Sequence, residues 1–263
     1  MLAADKSYLE IVLAPIRVSR AYRPKFGHGA EYTLEKFRRL YGNDPFYAWF
    51  GLDSPLVYTA HRAAGGITSV YRQIGIGCQH LIQQIIIDRL GLTPEESSWS
   101  YQVKQGGNKT RSLSLDARIE MTAITNRDRR GTVVSWLKKA GKELNIAPPL
   151  LKILKGCVFE VRQGYKSKDS KRQQADLANA SAAYAATYLP VLLLLSTQID
   201  DDVAERYFNA RWLILRGNTS GPATHSTYAF CREVLGYDLA GFFERNSGQL
   251  KVEVEAVLAT LLS

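Results

Sequence analysis

Three residues of this 263-residue chain carry the most specific chemical signal: Asp116, Glu160 and Arg162. Glu160 sits among Val158, Phe159 and Val161, the flanks of a core strand, where an ionised carboxylate is costly unless something positive pairs with it. Arg162, two residues on and on the same strand face, supplies such a partner as a structural ion pair. A divalent cation is the other candidate. Asp116 lies on the polar face of an earlier strand, and two carboxylates from neighbouring strands are hard oxygen donors suited to Mg²⁺, which takes phosphate oxygens as further ligands. A metal so held activates water and neutralises charge building on a phosphodiester. Directly downstream, Lys166, Lys168, Lys171 and Arg172 face only Asp169, a basic turn fit to lie beside a phosphate backbone.

Other chemistries find no support. H-E-x-x-H, G-x-x-x-x-G-K-[ST] and G-x-S-x-G motifs are missing. His28, His61, His80 and His225 are dispersed without ligand spacing. Cys78, Cys157 and Cys231 form no C-x-x-C pair, which argues against a disulfide framework or zinc site and suits a reducing compartment. The N-terminus lacks a continuous apolar stretch of the kind a signal peptide needs. The longest apolar run, Tyr188 to Leu195, falls short of the ~20 residues of a membrane span. A cytoplasmic protein without membrane contact is expected. The net charge of +9 makes a polyanionic partner plausible.

The elements that must position these residues follow from periodicity. Steps of three and four from Ile67 to Leu90 predict an amphipathic helix over 67–92. Trp99 to Lys104, a Gly-rich turn at 105–108 and Thr110 to Met121 read as a strand, a turn and a longer strand. In the longer strand Leu113, Leu115, Ala117, Ile119 and Met121 share one face, with Asp116, Arg118 and Glu120 on the other. A helix near 132–144 precedes a strand over 157–165. Ser170 with Gln173 forms a capping-box signature for an alanine-rich helix to about Thr187. Leu189 to Ser196 is apolar enough to be a strand covered on both faces. Asp200, Asp201 and Asp202 suit a helix N-terminus, and Arg211 to Arg216 gives a last short strand. This order indicates an α/β fold with a mixed sheet.

At this point the sequence resembles the PD-(D/E)xK nuclease superfamily, which includes most type II restriction endonucleases. Ser114-Leu115-Asp116 looks like the first part of its motif and Glu160-Val161-Arg162 like the second. The helix from Ser170 and the strand from Leu189 fill the remaining places, so the resemblance covers about residues 67–216. Ser69 to Cys78, Phe159 to Arg172 and Leu189 to Asp200 are similar to the ApaLI-type family of restriction endonucleases. The resemblance implies a restriction-endonuclease-like mixed central sheet flanked by helices, in a core at 67–222 with helical extensions at 1–66 and 223–263. It also implies Mg²⁺-dependent cleavage of double-stranded DNA at a short palindrome, the family's target being GTGCAC, with Asp116 and Glu160 holding the metal.

Two departures stand out. The spacing from Asp116 to Glu160 is wide for the motif, implying a helix inserted between the two strands. Arginine stands at 162 where the motif has lysine; always protonated, it can steady a pentavalent phosphate but cannot act as a base. Lys166 is a poorer substitute, four extended residues or roughly 13 Å away, and Glu120 is a weaker third acid at a similar distance from Asp116.

Base reading in the major groove calls on Arg or Lys for guanine and Asn or Gln for adenine. The candidates are Arg72 and Gln73 on the first core helix, Lys104, Gln105, Asn108, Lys109 and Arg111 around the hairpin, and Arg216 and Asn218 after the last strand. A palindromic target requires a two-fold homodimer. Three rivals stay open: a degenerate nuclease fold that binds DNA or RNA without cutting, a nuclease directed at branched or damaged DNA, and a basic protein in which Glu160 and Arg162 merely pair.

Overall fold

A computed structural model describes residues 3–26, 30–104, 110–164 and 170–262, and for residues 3, 26, 30–31, 104 and 170–173 it describes the backbone alone. The protein is mixed α/β, with helices and both antiparallel and mixed sheets. Its residues cluster into two compact units, 1–77 with 245–263, and 78–244.

The first unit is helical. Helix α1 (Ala3–Val18) is followed by a two-residue ladder of β1 (Lys25–Phe26) and β2 (Ala30–Glu31), and then by α2 (Leu34–Gly42) and α3 (Pro45–Trp49). Thr33 and Asp44 cap the last two helices with their side chains, the local signature expected of Thr and Asp at helix starts. Helix α4 (Pro55–Leu90) begins twelve residues before the expected Ile67. Gly65 and Gly66, just ahead of the expected start, sit inside it, where a Cβ at Gly65 would overlap the Tyr22 ring and one at Gly66 would crowd Leu261. Within the same unit buried Asp5 is paired with Arg245 at 3.0 Å.

The second unit holds the sheets. A hairpin of β3 (Trp99–Lys104) and β4 (Thr110–Leu115) runs from the pair Trp99–Leu115 to Lys104–Thr110. The expected Gly-rich turn falls on residues 105–109, outside the described residues. The strand read over 110–121 is in fact two: β4 pairs with β3, whereas β5 (Ala117–Glu120) joins the central sheet, and Asp116 is the residue between them. Its own N–H turns to the Phe159 carbonyl at 2.8 Å. Parity survives the break, so Leu115, Ala117 and Ile119 are all buried.

Helices α5 (Arg127–Glu143) and α6 (Pro148–Ile153) separate β5 from β6 (Gly156–Arg162) and account for the wide spacing of the two acids. After β6 come α7 (Ser170–Ala185), β7 (Tyr188–Leu194), α8 (Asp201–Asn209) and β8 (Leu213–Leu215). The chain ends in α9 (Thr227–Phe230), a turn of π-helix at Cys231–Leu235, and α10 (Leu239–Leu262). Asp200 caps α8 through the amides of Asp202 and Val203, as its run of acids suggests.

The central sheet has the order β5-β6-β7-β8, with β5 antiparallel to β6 and the other three strands parallel. Strand β7 is buried throughout because both faces are covered. On one face Val158, Leu192 and Leu194 pack with Ala180 and Ala183 of α7 and with Val203 and Tyr207 of α8. Small alanines let α7 approach closely. On the other, Phe159 lies against Phe230, which in turn meets Trp136 of α5. Among the described residues no helix is long and apolar enough to cross a membrane.

Candidate active site

Strand β6 delivers Glu160 and Arg162 to the α7 face, because residues two apart share a face. Arg162 bonds Glu160 Oε1 through Nε at 3.1 Å and Nη2 at 3.0 Å, and its Nη2 also reaches Asp176 Oδ2 on α7 at 2.6 Å. Buried Tyr207 donates its hydroxyl to the same Asp176 oxygen. The guanidinium is therefore set between two carboxylates, all three side chains largely buried. The pair expected between Glu160 and Arg162 is present, and Asp176 is an addition the sequence reading missed. Its signal was slight: a single acid among the alanines and glutamines of one helix.

Asp116 approaches from the junction between β4 and β5. Its Oδ2 accepts the Val161 N–H at 2.7 Å and the Gln79 side-chain amide at 3.2 Å, and the same amide touches the Val161 carbonyl at 3.3 Å. Gln79, near the C-terminal end of α4, lies within the 69–78 stretch's immediate continuation yet carried no charge to draw attention. Among the described residues the hydrogen bonds to Asp116 and Glu160 fall on one oxygen of each, Oδ2 and Oε1. A cleft of about 710 Å³ opens beside Asp116, lined also by Gln83, Ser98, Ser114 and Arg118.

The electrostatics of the pair are unfavourable. Burial pushes the Glu160 carboxyl up to about 7, helped by the negative charges of Asp116 and Asp176 and opposed by Arg162. Burial likewise raises Asp116, against the Val161 amide, Arg162, Gln79 and His80. Two neighbouring acids that each resist ionisation are a donor set a hard divalent cation would relieve, and each has an oxygen outside the hydrogen bonds just described. Such a pair of carboxylates is chemically the kind of donor set Mg²⁺ takes, with water or phosphate oxygens as its further ligands. No cluster of three or more His, Cys, Asp or Glu that could hold a metal occurs among the described residues.

The remaining candidates are spread more widely. Glu120 pairs with Gly156, at the opposite end of β6 from Glu160, and accepts from the Tyr188 hydroxyl. Arg111 is exposed on β4 opposite Val103, and Lys104 ends β3 opposite Thr110. Continuing the strand register puts Arg216 level with Arg162, two strands or about 10 Å across the sheet. Exposed Asn218 follows it, its carbonyl accepting from Ser226 Oγ at 2.5 Å. Lys171 and Arg172 stand in the first turn of α7. Exposed Arg72 and half-buried Gln73 lie on α4 within the first unit. Gln105, Asn108, Lys109, Lys166 and Lys168 lie outside the described residues.

In comparisons with known proteins, no family model matches the sequence, and neither curated proteins nor solved structures give a significant match.

Proposed function

We propose that this protein is a Mg²⁺-dependent type II restriction endonuclease that hydrolyses phosphodiester bonds of double-stranded DNA at a short palindrome, GTGCAC by the resemblance, and acts as a cytoplasmic homodimer. The single observation that carries the reading is the convergence of Asp116 and Glu160 at adjoining strands, both acids raised by burial. Further support comes from the element order, an acid-bearing strand, the Glu-x-Arg strand, a helix and a parallel apolar strand. The nuclease core would span 67–222, with 1–66 and 223–263 as extensions.

Asp116 and Glu160 would hold the cation, which when bound supplies water activation and charge neutralisation at the scissile phosphate. The Val161 amide and Gln79 fix the Asp116 carboxylate, so that it is oriented before substrate arrives. Arg162 holds Glu160 in place and offers a permanent positive charge to the phosphoryl group. Asp176 and Tyr207 in turn fix Arg162. Arg111, Lys104 and Arg216 are proposed DNA contacts.

The test is direct. Purified protein incubated with plasmids containing and lacking GTGCAC, with Mg²⁺ or with EDTA, should give discrete fragments only with site and metal together. Absence of cutting on every DNA over a range of salt would reject the reading. The clamping of Arg162 by two carboxylates favours a second reading, a DNA- or RNA-binding protein with the same fold and no chemistry, which predicts salt-sensitive binding indifferent to EDTA.

A further inference from the structure

Around α2, α3 and the start of α4, large apolar side chains face solvent: Leu40 (41% exposed), Phe46 (58%), Tyr47 (38%), Trp49 (81%), Phe50 (69%) and Leu56 (81%). Phe46, Tyr47 and Phe50 are held in place by ring contacts. Tyr47 stacks on Tyr41 with centroids 4.7 Å apart, Phe46 lies 5.1 Å from Phe50, and Asp44 fixes the turn between the helices through the Phe46 and Tyr47 amides. Exposed large apolar residues occur elsewhere too, among them Ile67, Tyr71, Val103, Ile153, Phe208 and Val252, but no other stretch of the sequence holds so many aromatics. A contiguous aromatic patch is the kind of surface that marks an interface.

From this patch we infer that a second copy of the chain docks on it, two-fold related, through Trp49, Phe50 and their neighbours. Size is the first argument. At about 200 Å² for a large aromatic side chain, the exposed fractions amount to roughly 600–700 Å² of apolar surface. Each partner in a stable interface contributes about 800 Å². Charge is the second. In a two-fold interface every patch meets itself, so a surface of one sign repels its own image. The chain carries +9, yet residues 33–56 hold Lys36, Arg38 and Arg39 against Glu35, Asp44 and Asp53 and are neutral. That balance disfavours a polyanion as the occupant and suits self-association. The inference names the interface of the homodimer proposed above but rests on this surface alone, and it holds whether or not the protein cuts DNA.

Sedimentation equilibrium of the full-length protein at micromolar concentration should show a dimer, little affected by salt. Trp49→Asp and the double variant Trp49→Ala/Phe50→Ala should weaken dimerisation by about 30-fold or more, the loss of one hot-spot residue, with unchanged circular dichroism. Because both side chains are exposed in the single copy, folding should survive. Plasmid cleavage read in parallel keeps the two proposals apart: a dimer that fails to cut supports the interface and rejects the nuclease. A wild-type monomer at tens of micromolar, a dimer unaffected by either variant, or a monomer that uses Trp49 to bind anionic vesicles or single-stranded DNA would overturn the inference.

Discussion

The Val161 backbone N–H donates to Asp116 Oδ2 at 2.7 Å, so the acid at the break between two strands is anchored to the strand that carries the other acid. Alanine at either position removes a charge from the same shared site, and in the proposed nuclease each loss should lower cleavage on the order of 10²–10³-fold or more, as for other preorganised electrostatic groups. DNA binding, carried by separate basic residues, should change little. Plasmid cleavage set beside filter binding of Asp116→Ala and Glu160→Ala measures both; cutting retained by both variants would move the chemistry elsewhere.

Stability without metal should depend on pH in a defined direction. The Glu160 carboxyl titrates near 7 in the folded protein but near its ordinary 4.5 once unfolded. Between those values the folded state holds the extra proton, so the group's stabilising contribution is complete below about 4.5 and is lost as pH rises through 7. Asp116, raised in the same sense, adds to the trend. In EDTA the melting temperature should fall from pH 5 to pH 8. Glu160→Gln should flatten that slope, and added Mg²⁺, which favours the ionised forms, should restore stability at pH 8.

Arg162 is bonded to both Glu160 and Asp176, with side-chain exposures of only 11%, 17% and 5%. Removing one member of such a buried set leaves uncompensated charge and costs about 3–5 kcal/mol. Arg162→Ala should lose that much in urea unfolding, while Arg162→Lys, a single ammonium without the guanidinium fork, should lose less and keep cleavage. An alanine variant within 1 kcal/mol of wild type, a limit set by the ~1 kcal/mol typical of exposed pairs, would show that the clamp is dispensable.

All three cysteines are buried and unpaired by disulfide, and burial pushes Cys78 and Cys231 up to about 12 and raises Cys157 as well. Thiolate is the reactive form, so the folded protein should resist Ellman's reagent. All three thiols should react in guanidinium.

Gly156 begins the strand that carries Glu160, and a methyl group there would overlap the Ile119 carbonyl oxygen across the β5–β6 pairing. Gly156→Ala should cost about 1–3 kcal/mol or more, the range for overpacking against atoms that cannot yield. Thermal unfolding measures it, and a neutral outcome would mean that the two strands separate easily.

Much of this arrangement was legible in the sequence because it rests on local rules. Alternation placed Leu115, Ala117 and Ile119 inward, unbroken apolar character marked β7, and the acids at 200–202 marked the start of α8. What escaped depends on distant partners. The division of one apparent strand at Asp116 leaves its alternation intact and arises from the choice between β3 and β6 as neighbours. Gly65 and Gly66 are needed as glycines inside a helix because Tyr22 and Leu261, remote in sequence, occupy the space a Cβ would take. Asp176 and Gln79 join the acids only through tertiary packing of α7 and α4 residues against the sheet.

The same break at Asp116 joins the hairpin to the central sheet through a single residue. Lys104 and Arg111 lie toward one end of the β3–β4 ladder, and at the other end β4 stops directly before the acid. Between the β3–β4 ladder and the acid there is thus no intervening element, only the peptide bond from Leu115 to Asp116. In the proposed nuclease, DNA contacts made at Arg111 would reach the acid through a few residues of one strand, and discrimination among sequences should register in turnover more strongly than in affinity.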